Sequence, residues 1–507
     1  MREHGGVTFV PRGRLAVAGA VAGLAGVGAS DLLTAVLRVR ATPVQAVAES
    51  VIELTPGAVV EQLIGVVGRH DKPILVAGVT VAVVALGALA GVLAGRRPLY
   101  GQLVFVAMGV VALVAEVNRP GFGPVSLLPL AVGVLVWTVL TDFLVSTARP
   151  APAPVDSRRR FLLNAGGAAV VAVALGAGGR WVGRTRRSVL AARRGLRLRV
   201  SRGAVPAGAD TGPAGTAPWR VPNAAFYRID TALVVPAVDP ADWRLRIHGM
   251  VDHEVTLSFD DVLRRRISEG WVTLCCVSNP VGGDLVGNAW WSGVRVADLL
   301  AEAGVRPGAD AVKQTSSDGW TCGTPIEALT DGRNALLAIA MNGRPLPLEH
   351  GFPARLVVPG LYGYVSATKW VTDLEVTRFE AFSAYWTDRG WSERGPVKTQ
   401  SRVEVPRSGT DVSAGAVRVG GHAWAQHTGI ARVEYRLDGG AWRRADLGRV
   451  PGRDTWVQWS GTVQARPGSH TLVVRATDRS GYTQTAARAD VVPDGATGWH
   501  RVDFTAG

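Results

Sequence analysis

The pattern of apolar and polar positions divides the chain in two. Residues 15–180 are dominated by Ala, Val, Leu and Gly, whereas after about residue 200 apolar and polar residues alternate in short segments punctuated by Gly and Pro. Apolar stretches at 15–36, 74–94, 99–117, 124–145 and 161–178 each approach the roughly 20 residues that a helix needs to cross about 30 Å of hydrocarbon, which predicts about five transmembrane helices. If the spans alternate, Arg12 and Arg14, Arg96 and Arg97, and Arg149 with Arg158 to Arg160 all fall on one side, expected to be the cytoplasm. Segment 41–72, with Glu49, Glu53 and Glu61 among apolar residues, is expected on the other side as an interfacial helix.

The polar half reads differently. Residues 181–218 are rich in Gly, Pro, Ala and Arg and show too little apolar periodicity for a core, so they are expected to be a linker. From Val221 the chain reads as a mixed α/β domain. Ser258 precedes Phe259-Asp260-Asp261 as a helix cap, and Arg295 to Ala303 reads as an amphipathic helix ended by Gly304. Between them, Trp271 to Val277 is apolar and β-rich and breaks at Ser278 to Gly283, which predicts a strand with Cys276 at its end, beside a loop. After Pro406, segments near 415–425, 430–437, 454–463, 469–477 and 483–491 alternate like the strands of an immunoglobulin-like sandwich. The expected division is a transmembrane region at 1–180, a linker at 181–218, a catalytic domain at 219–405 and a β-sandwich at 406–500.

Composition narrows the chemistry. At 47% hydrophobic residues the chain of 507 is not a disordered one. The net charge of +14 comes from arginines spread along the chain and flanking apolar segments, which suits a membrane protein better than a nucleic-acid binder. The cysteines are Cys275, Cys276 and Cys322; two are adjacent, so no disulfide framework is expected, and with nine histidines they form no zinc-type cluster.

Ser157-Arg158-Arg159-Arg160-Phe161-Leu162, followed by a weakly apolar run, resembles the twin-arginine export signal. That route carries folded proteins, which suits a domain that captures a cofactor before crossing. The catalytic domain is therefore expected outside the cytoplasm on a multi-pass membrane protein.

Thr273-Leu274-Cys275-Cys276-Val277-Ser278-Asn279, with Trp291-Ser292-Gly293-Val294 after it, resembles the cysteine loop of the sulfite oxidase family. Asn223-Ala224-Ala225-Phe226-Tyr227-Arg228-Ile229-Asp230 resembles that family's entry segment, and His350-Gly351-Phe352-Pro353-Ala354-Arg355 through Pro359-Gly360, with Lys369-Trp370, resembles its later strand. Ile430 to Gly440 with Trp442 resembles the family's C-terminal dimerisation domain, so the likeness covers roughly 221–500. The resemblance implies a molybdenum–molybdopterin cofactor with Cys276 as the metal's thiolate ligand and Cys275 as a packed neighbour. It implies that Asn223, Phe226, Tyr227, Arg228, Thr315, His350, Arg355, Ser366 and Lys369 contact the pterin or its phosphate, a role for which guanidinium and ammonium groups are suited. Arg228 and Tyr385 fall near the family's catalytic arginine and tyrosine.

The activity this implies is oxygen-atom transfer at molybdenum, on a sulfur compound or an S- or N-oxide. A noncatalytic membrane scaffold on a relic cofactor fold is the alternative reading. Sulfite oxidases carry an arginine soon after the ligand cysteine, but here that stretch is Asn279-Pro280-Val281-Gly282-Gly283-Asp284. Sulfite is thus expected to be a poor substrate unless Arg228, Arg389 or Arg394 compensates. No haem-attachment motif is present, so electrons are expected to pass to an external redox partner or membrane quinone. Membrane lipid and a homodimer partner complete the expectations.

Overall fold

The computed structural model describes residues 11–37, 39, 41–55, 71–119, 122–148, 154–182 and 184–507. These form two compact units, one of residues 1–188 with 232–234 and the other of 189–231 with 235–507.

The first unit is helical: α1 (Arg12–Val36), α2 (Pro43–Leu54), α3 (Asp71–Ala94), α4 (Pro98–Val117), α5 (Leu127–Ala148) and α6 (Pro154–Val182). Among the described residues four helices are long and apolar enough to cross a membrane, at Arg12–Val36, Pro73–Ala94, Pro98–Val117 and Pro124–Ala148. The fifth expected span, 161–178, runs along α6, whose side chains are described over 159–174 only. Glycines set the packing. Gly19, Gly87 and Gly91 let α1 and α3 approach until a Cβ on any of them would strike the facing backbone, the small-residue contact that apolar helices use. The buried Trp137 donates its indole N–H to the Gly23 carbonyl at 2.9 Å. The segment expected as an interfacial helix contains α2, started by a capping box in which Thr42 and Gln45 bond each other's backbone N–H. Glu61, Arg149 and the side chains of Glu53, Ser157 and Arg158 lie outside the described residues.

The second unit holds the sheets, and α7 (Arg184–Gly195) leads into it. The stretch expected as a coreless linker is packed instead. Val189 and Ala209 are buried in the main core, and Arg193 donates Nε and Nη2 to the carbonyls of Leu346 and Pro345 at 2.5 and 2.8 Å. The buried apolar residues are scattered among Gly, Pro and Arg, and the Arg193 contacts are made to backbone, so apolar periodicity carries no trace of the packing. Ten strands follow: β1 (Arg244–Gly249), β2 (Val255–Ser258), β3 (Ser268–Cys275), β4 (Val286–Arg295), β5 (Ala311–Ser316), β6 (Thr321–Pro325), β7 (Leu336–Met341), β8 (Arg344–Pro345), β9 (Arg355–Val357) and β10 (Val371–Thr377). One sheet has the order β2-β1-β10-β5-β6, the other β3-β4-β7-β8 with β9 also paired to β7. Helix α8 (Phe259–Arg264) starts at the expected Ser258 cap. Helix α9 (Val296–Ala303) buries Val296, Leu299, Leu300 and Ala303 and stops at Gly304, whose φ of 70° is the left-handed value that glycine tolerates.

The C-terminal strands are β11 (Gln400–Val405), β12 (Asp411–Val412), β13 (Gly415–Trp424), β14 (Ile430–Leu437), β15 (Arg443–Arg444), β16 (Asp446–Leu447), β17 (Val457–Ala465), β18 (Gly468–Asp478) and β19 (His500–Ala506). They form two sheets, β11-β13-β17-β16 and β12-β19-β18-β14-β15, sharing a core that includes Val419, Trp459, Leu472 and Phe504. The strand expected at 483–491 does not form. There Gln484 spends its amide on the Gly498 carbonyl and on Ser401 and Ala476, and the closing strand is β19, where Val502, Phe504 and Ala506 alternate inward. Trp424 and Trp456 of this module belong to the core of the preceding domain, so apolar packing is continuous between the two.

Candidate active site

Cys276 lies one residue past β3, whose pairing with β4 ends at Cys275 opposite Val286. Successive side chains of a strand face opposite ways. Cys275 therefore joins the apolar core, its Sγ bonded to the Cys276 carbonyl at 3.4 Å, while Cys276 opens onto a solvent-open cleft of about 820 Å³, its open mouth included. The loop after it is stapled shut: Cys276 N–H donates to Leu285 O at 2.9 Å, and Leu285 N–H donates to Asn279 Oδ1 at 2.8 Å. Burial raises the Cys276 thiol pKa, against the backbone N–H and hydroxyl of Ser278 and the charge of Lys369, which favour thiolate.

The expected Phe226, Tyr227, Arg355 and Lys369 line the same cleft as Cys276. Arg355 is 4% exposed and bonds only carbonyls, those of Leu356, His350 and Ala367, each at 3.3 Å. Among the described residues no carboxylate pairs with it, and burial lowers its pKa to about 10. Burial likewise lowers Lys369 to about 8, although its Nζ lies 3.1 Å from Asp230 Oδ2. Tyr227 is pushed well above the ordinary tyrosine value by burial and then by the two neighbouring cysteines.

The other expected residues stand behind this wall or away from it. Asn223 is a brace: its Nδ2 donates to Met341 O at 3.1 Å, its Oδ1 accepts from Asn342 at 2.7 Å, and its carbonyl meets His350 Nε2 at 3.0 Å. That last bond makes Nε2 the protonated nitrogen of His350. Burial, then Lys369 and Arg355, lower this histidine to about 4, so the ring is neutral, and its buried Nδ1 has no partner among the described residues. Ser366 is fully buried and donates to the Tyr362 carbonyl at 2.9 Å. Thr315 lies on β5 as expected, but its neighbour Ser316 faces the cleft. Arg228 is 41% exposed and bonded to Asp230 at 2.8 Å. Tyr385 does not line the cleft: Arg389 stacks over its ring at 3.7 Å, and Trp386 takes the place beside it. The possible compensating cations are elsewhere, Arg389 on Tyr385 and Arg394 paired with Glu327 at 3.5 Å.

Sequence reasoning missed the rest of the lining. Asp230 and Asp318 add carboxylates, and Trp320, Tyr364, Trp386 and Trp391 add an aromatic wall. Asp230 lay within a recognised segment, but its role depends on Lys369, 139 residues away.

The oxidoreductase molybdopterin binding domain matches residues 232–386. The uncharacterized oxidoreductase YuiH of Bacillus subtilis (strain 168) is 38% identical over 157 residues, 31% of this chain and 76% of that protein. Sulfite oxidase of Gallus gallus is 31% identical over 333 residues, 55% of this chain and 72% of the relative. This chain belongs to the sulfite oxidase family of molybdopterin oxidoreductases. Mitochondrial sulfite oxidase of Rattus norvegicus is 30% identical over 277 residues, 46% of this chain, and the chain spans 50% of that relative's length. Two features fit the family's cofactor: Arg355, a buried guanidinium lining the cleft that pairs with no carboxylate among the described residues, suits a phosphate, and behind the lining the buried Nδ1 of His350, without a partner among the described residues, suits an N–H of a heterocycle.

Proposed function

We propose that this chain is a membrane-anchored molybdenum oxidoreductase that moves an oxygen atom to or from a small sulfur compound or an S- or N-oxide. The observation that carries the reading is Cys276, a buried thiol opening onto a cleft that also holds the guanidinium of Arg355, which pairs with no carboxylate among the described residues. In this reading Cys276 ligates the metal, Arg355 and Lys369 pair with the pterin phosphate, and His350 Nδ1 accepts from the pterin ring. Bound there, the molybdenum–pterin group supplies two-electron oxygen-atom chemistry. The chain's own part is to hold and orient. The aromatic wall of Trp320, Tyr364, Trp386 and Trp391 keeps water from the reacting atoms and favours a substrate with apolar groups. Sulfite is a poor substrate in this reading, because Val281 stands where the family has a cation and neither Arg389 nor Arg394 lines the cleft.

The four apolar helices anchor the protein in the cell membrane, and the Arg158-Arg159 signal carries the folded catalytic domain, 219–405, outside. The 406–500 module is immunoglobulin-like and offers a dimerisation surface, and a membrane quinone or external carrier exchanges the electrons. Metal and pterin analysis of purified protein, with steady-state kinetics in both directions using an artificial electron carrier, tests the proposal. Bound molybdenum and reduction of methionine sulfoxide in preference to sulfite oxidation support it. Protein without molybdenum or pterin favours the noncatalytic scaffold, and a kcat/KM for sulfite of about 10⁴ M⁻¹s⁻¹ or more overturns the substrate reading.

A further inference from the structure

The charges around the cleft cancel. Its lining contains the cations Arg355 and Lys369 and the carboxylates Asp230 and Asp318. Asp230, with its side chain 6% exposed, sits between two cations: Arg228 bonds it through Nε at 2.8 Å and Nη2 at 3.4 Å, and Lys369 Nζ lies 3.1 Å from its Oδ2. Asp318 is 7% exposed and accepts the Trp320 N–H at 3.2 Å, and among the described residues no Lys or Arg pairs with it. A small anion entering the cleft therefore meets Arg228 and Lys369 already committed to Asp230, and the buried carboxylate of Asp318 repels it across a medium that screens weakly.

We propose that Asp230 is a specificity-determining residue that excludes small oxyanions from the cleft and leaves it to uncharged oxides. The inference rests on the cleft being the substrate site proposed above. It differs from the absence of a cation at Val281, because Asp230 acts by its own charge and by occupying Arg228, and its removal returns Arg228 to an incoming anion while Lys369 stays with the pterin phosphate. Specificity here lies in the penalty set against the wrong substrate.

The test uses full-length, molybdenum-loaded protein in detergent and inorganic sulfate as the anion probe, followed by competitive inhibition and by quenching of the cleft tryptophans. Unmutated protein is expected to bind sulfate with a Kd above about 10 mM, and binding in the micromolar range overturns the inference without recourse to any variant. In Asp230→Asn the sulfate inhibition constant is expected to fall at least about tenfold, and the ratio of kcat/KM for sulfite to that for methionine sulfoxide to rise by a similar factor. Asp230→Glu, which keeps the charge, is expected to restore the unmutated ratio. An inhibition constant unchanged or raised in Asp230→Asn overturns the inference, since it assigns Asp230 only the positioning of Arg228 and Lys369. Protein that holds no molybdenum defeats the functional reading beneath it, whereas loaded, active protein with unaltered anion selectivity defeats this inference alone.

Discussion

Arg402, on the first strand of the C-terminal module, donates through Nη1 to the carbonyl of Gly283 at 2.7 Å, in the loop that follows Cys276. A second contact lies beside it. Gly282 has φ of 81° and sits so close to the His500 ring that a Cβ there would strike it. The ring is itself fixed, because His500 Nδ1 accepts the Val403 N–H at 2.9 Å. The module thus holds the cysteine loop from two sides, and its packing bears on the geometry of the thiolate.

Replacing Arg402 should reveal that link. Its Nε also donates to Glu404 at 2.6 Å, and Glu404 is held at about 2, against the effect of burial, by His422 and Arg402. Arg402→Met leaves this carboxylate with less compensation, and breaking such a buried pair costs about 3–5 kcal/mol. Denaturant unfolding is expected to show that loss and kinetics a lowered kcat. Stability within about 0.5 kcal/mol of the unmutated protein would contradict the account.

Gly282→Ala combines a left-handed backbone with a collision, so a loss of at least about 1 kcal/mol is expected. His500→Ala removes the collision but not the backbone strain. The double variant should therefore recover part of the stability, and additive losses in a double-mutant cycle would mean that the ring does not confine the loop.

How far the site was legible follows from where its signals lie. Cys276, Phe226, Tyr227, Arg355 and Lys369 sit in short recognisable runs, and all line one cleft. The register of the resembling cysteine loop separates Cys276 from Cys275, and the burial of Cys275 in the core at the end of β3 agrees with it. Asp230 was unreadable because an ion pair with Lys369 has no local signature, and Tyr385 was misplaced by one residue, since its neighbour Trp386 lines the cleft. The same limit applies to the fold. Helices α8 and α9 announce themselves by Ser258 and Gly304, whereas β19 has only Val502 and Phe504 as large apolar residues on its inward face.

Cys276→Ser is expected to abolish turnover and to remove the sulfur contribution of the protein thiolate from the metal's X-ray absorption spectrum. Cys275→Ser places a hydroxyl in the apolar core, at a cost of about 1–3 kcal/mol, yet should keep most activity. The opposite pattern would exchange the two assignments.

Export should depend on Arg158 and Arg159. Lysines preserve the positive flank of α6 but not the paired-arginine pattern, so replacing both by Lys is expected to strand the catalytic domain inside. Protease accessibility in intact spheroplasts measures this. A domain protected already in the unmutated protein contradicts the proposed topology.

Lys369 makes opposite predictions for ligand and for stability. Burial lowers its pKa from 10.5 to about 8, so the ammonium is present below about pH 8 and is lost above it. An anionic group held by Lys369, such as the pterin phosphate, should therefore be released more readily as pH rises through 8. The free protein behaves the other way. Between about 8 and 10.5 the unfolded chain still carries the proton that the folded one has shed, and stability rises with pH wherever the unfolded state binds more protons. The depressed value amounts to a penalty of about 3 kcal/mol at neutral pH, relieved by pH 10.5. Lys369→Met removes the titrating group, so the difference in unfolding free energy between unmutated and variant protein, each without cofactor, should narrow or reverse between pH 7 and pH 10. Cofactor release, followed by pterin fluorescence, should lose its rise near pH 8 in the same variant. A difference independent of pH would mean that Lys369 titrates at its ordinary value and that Asp230 compensates its burial in full.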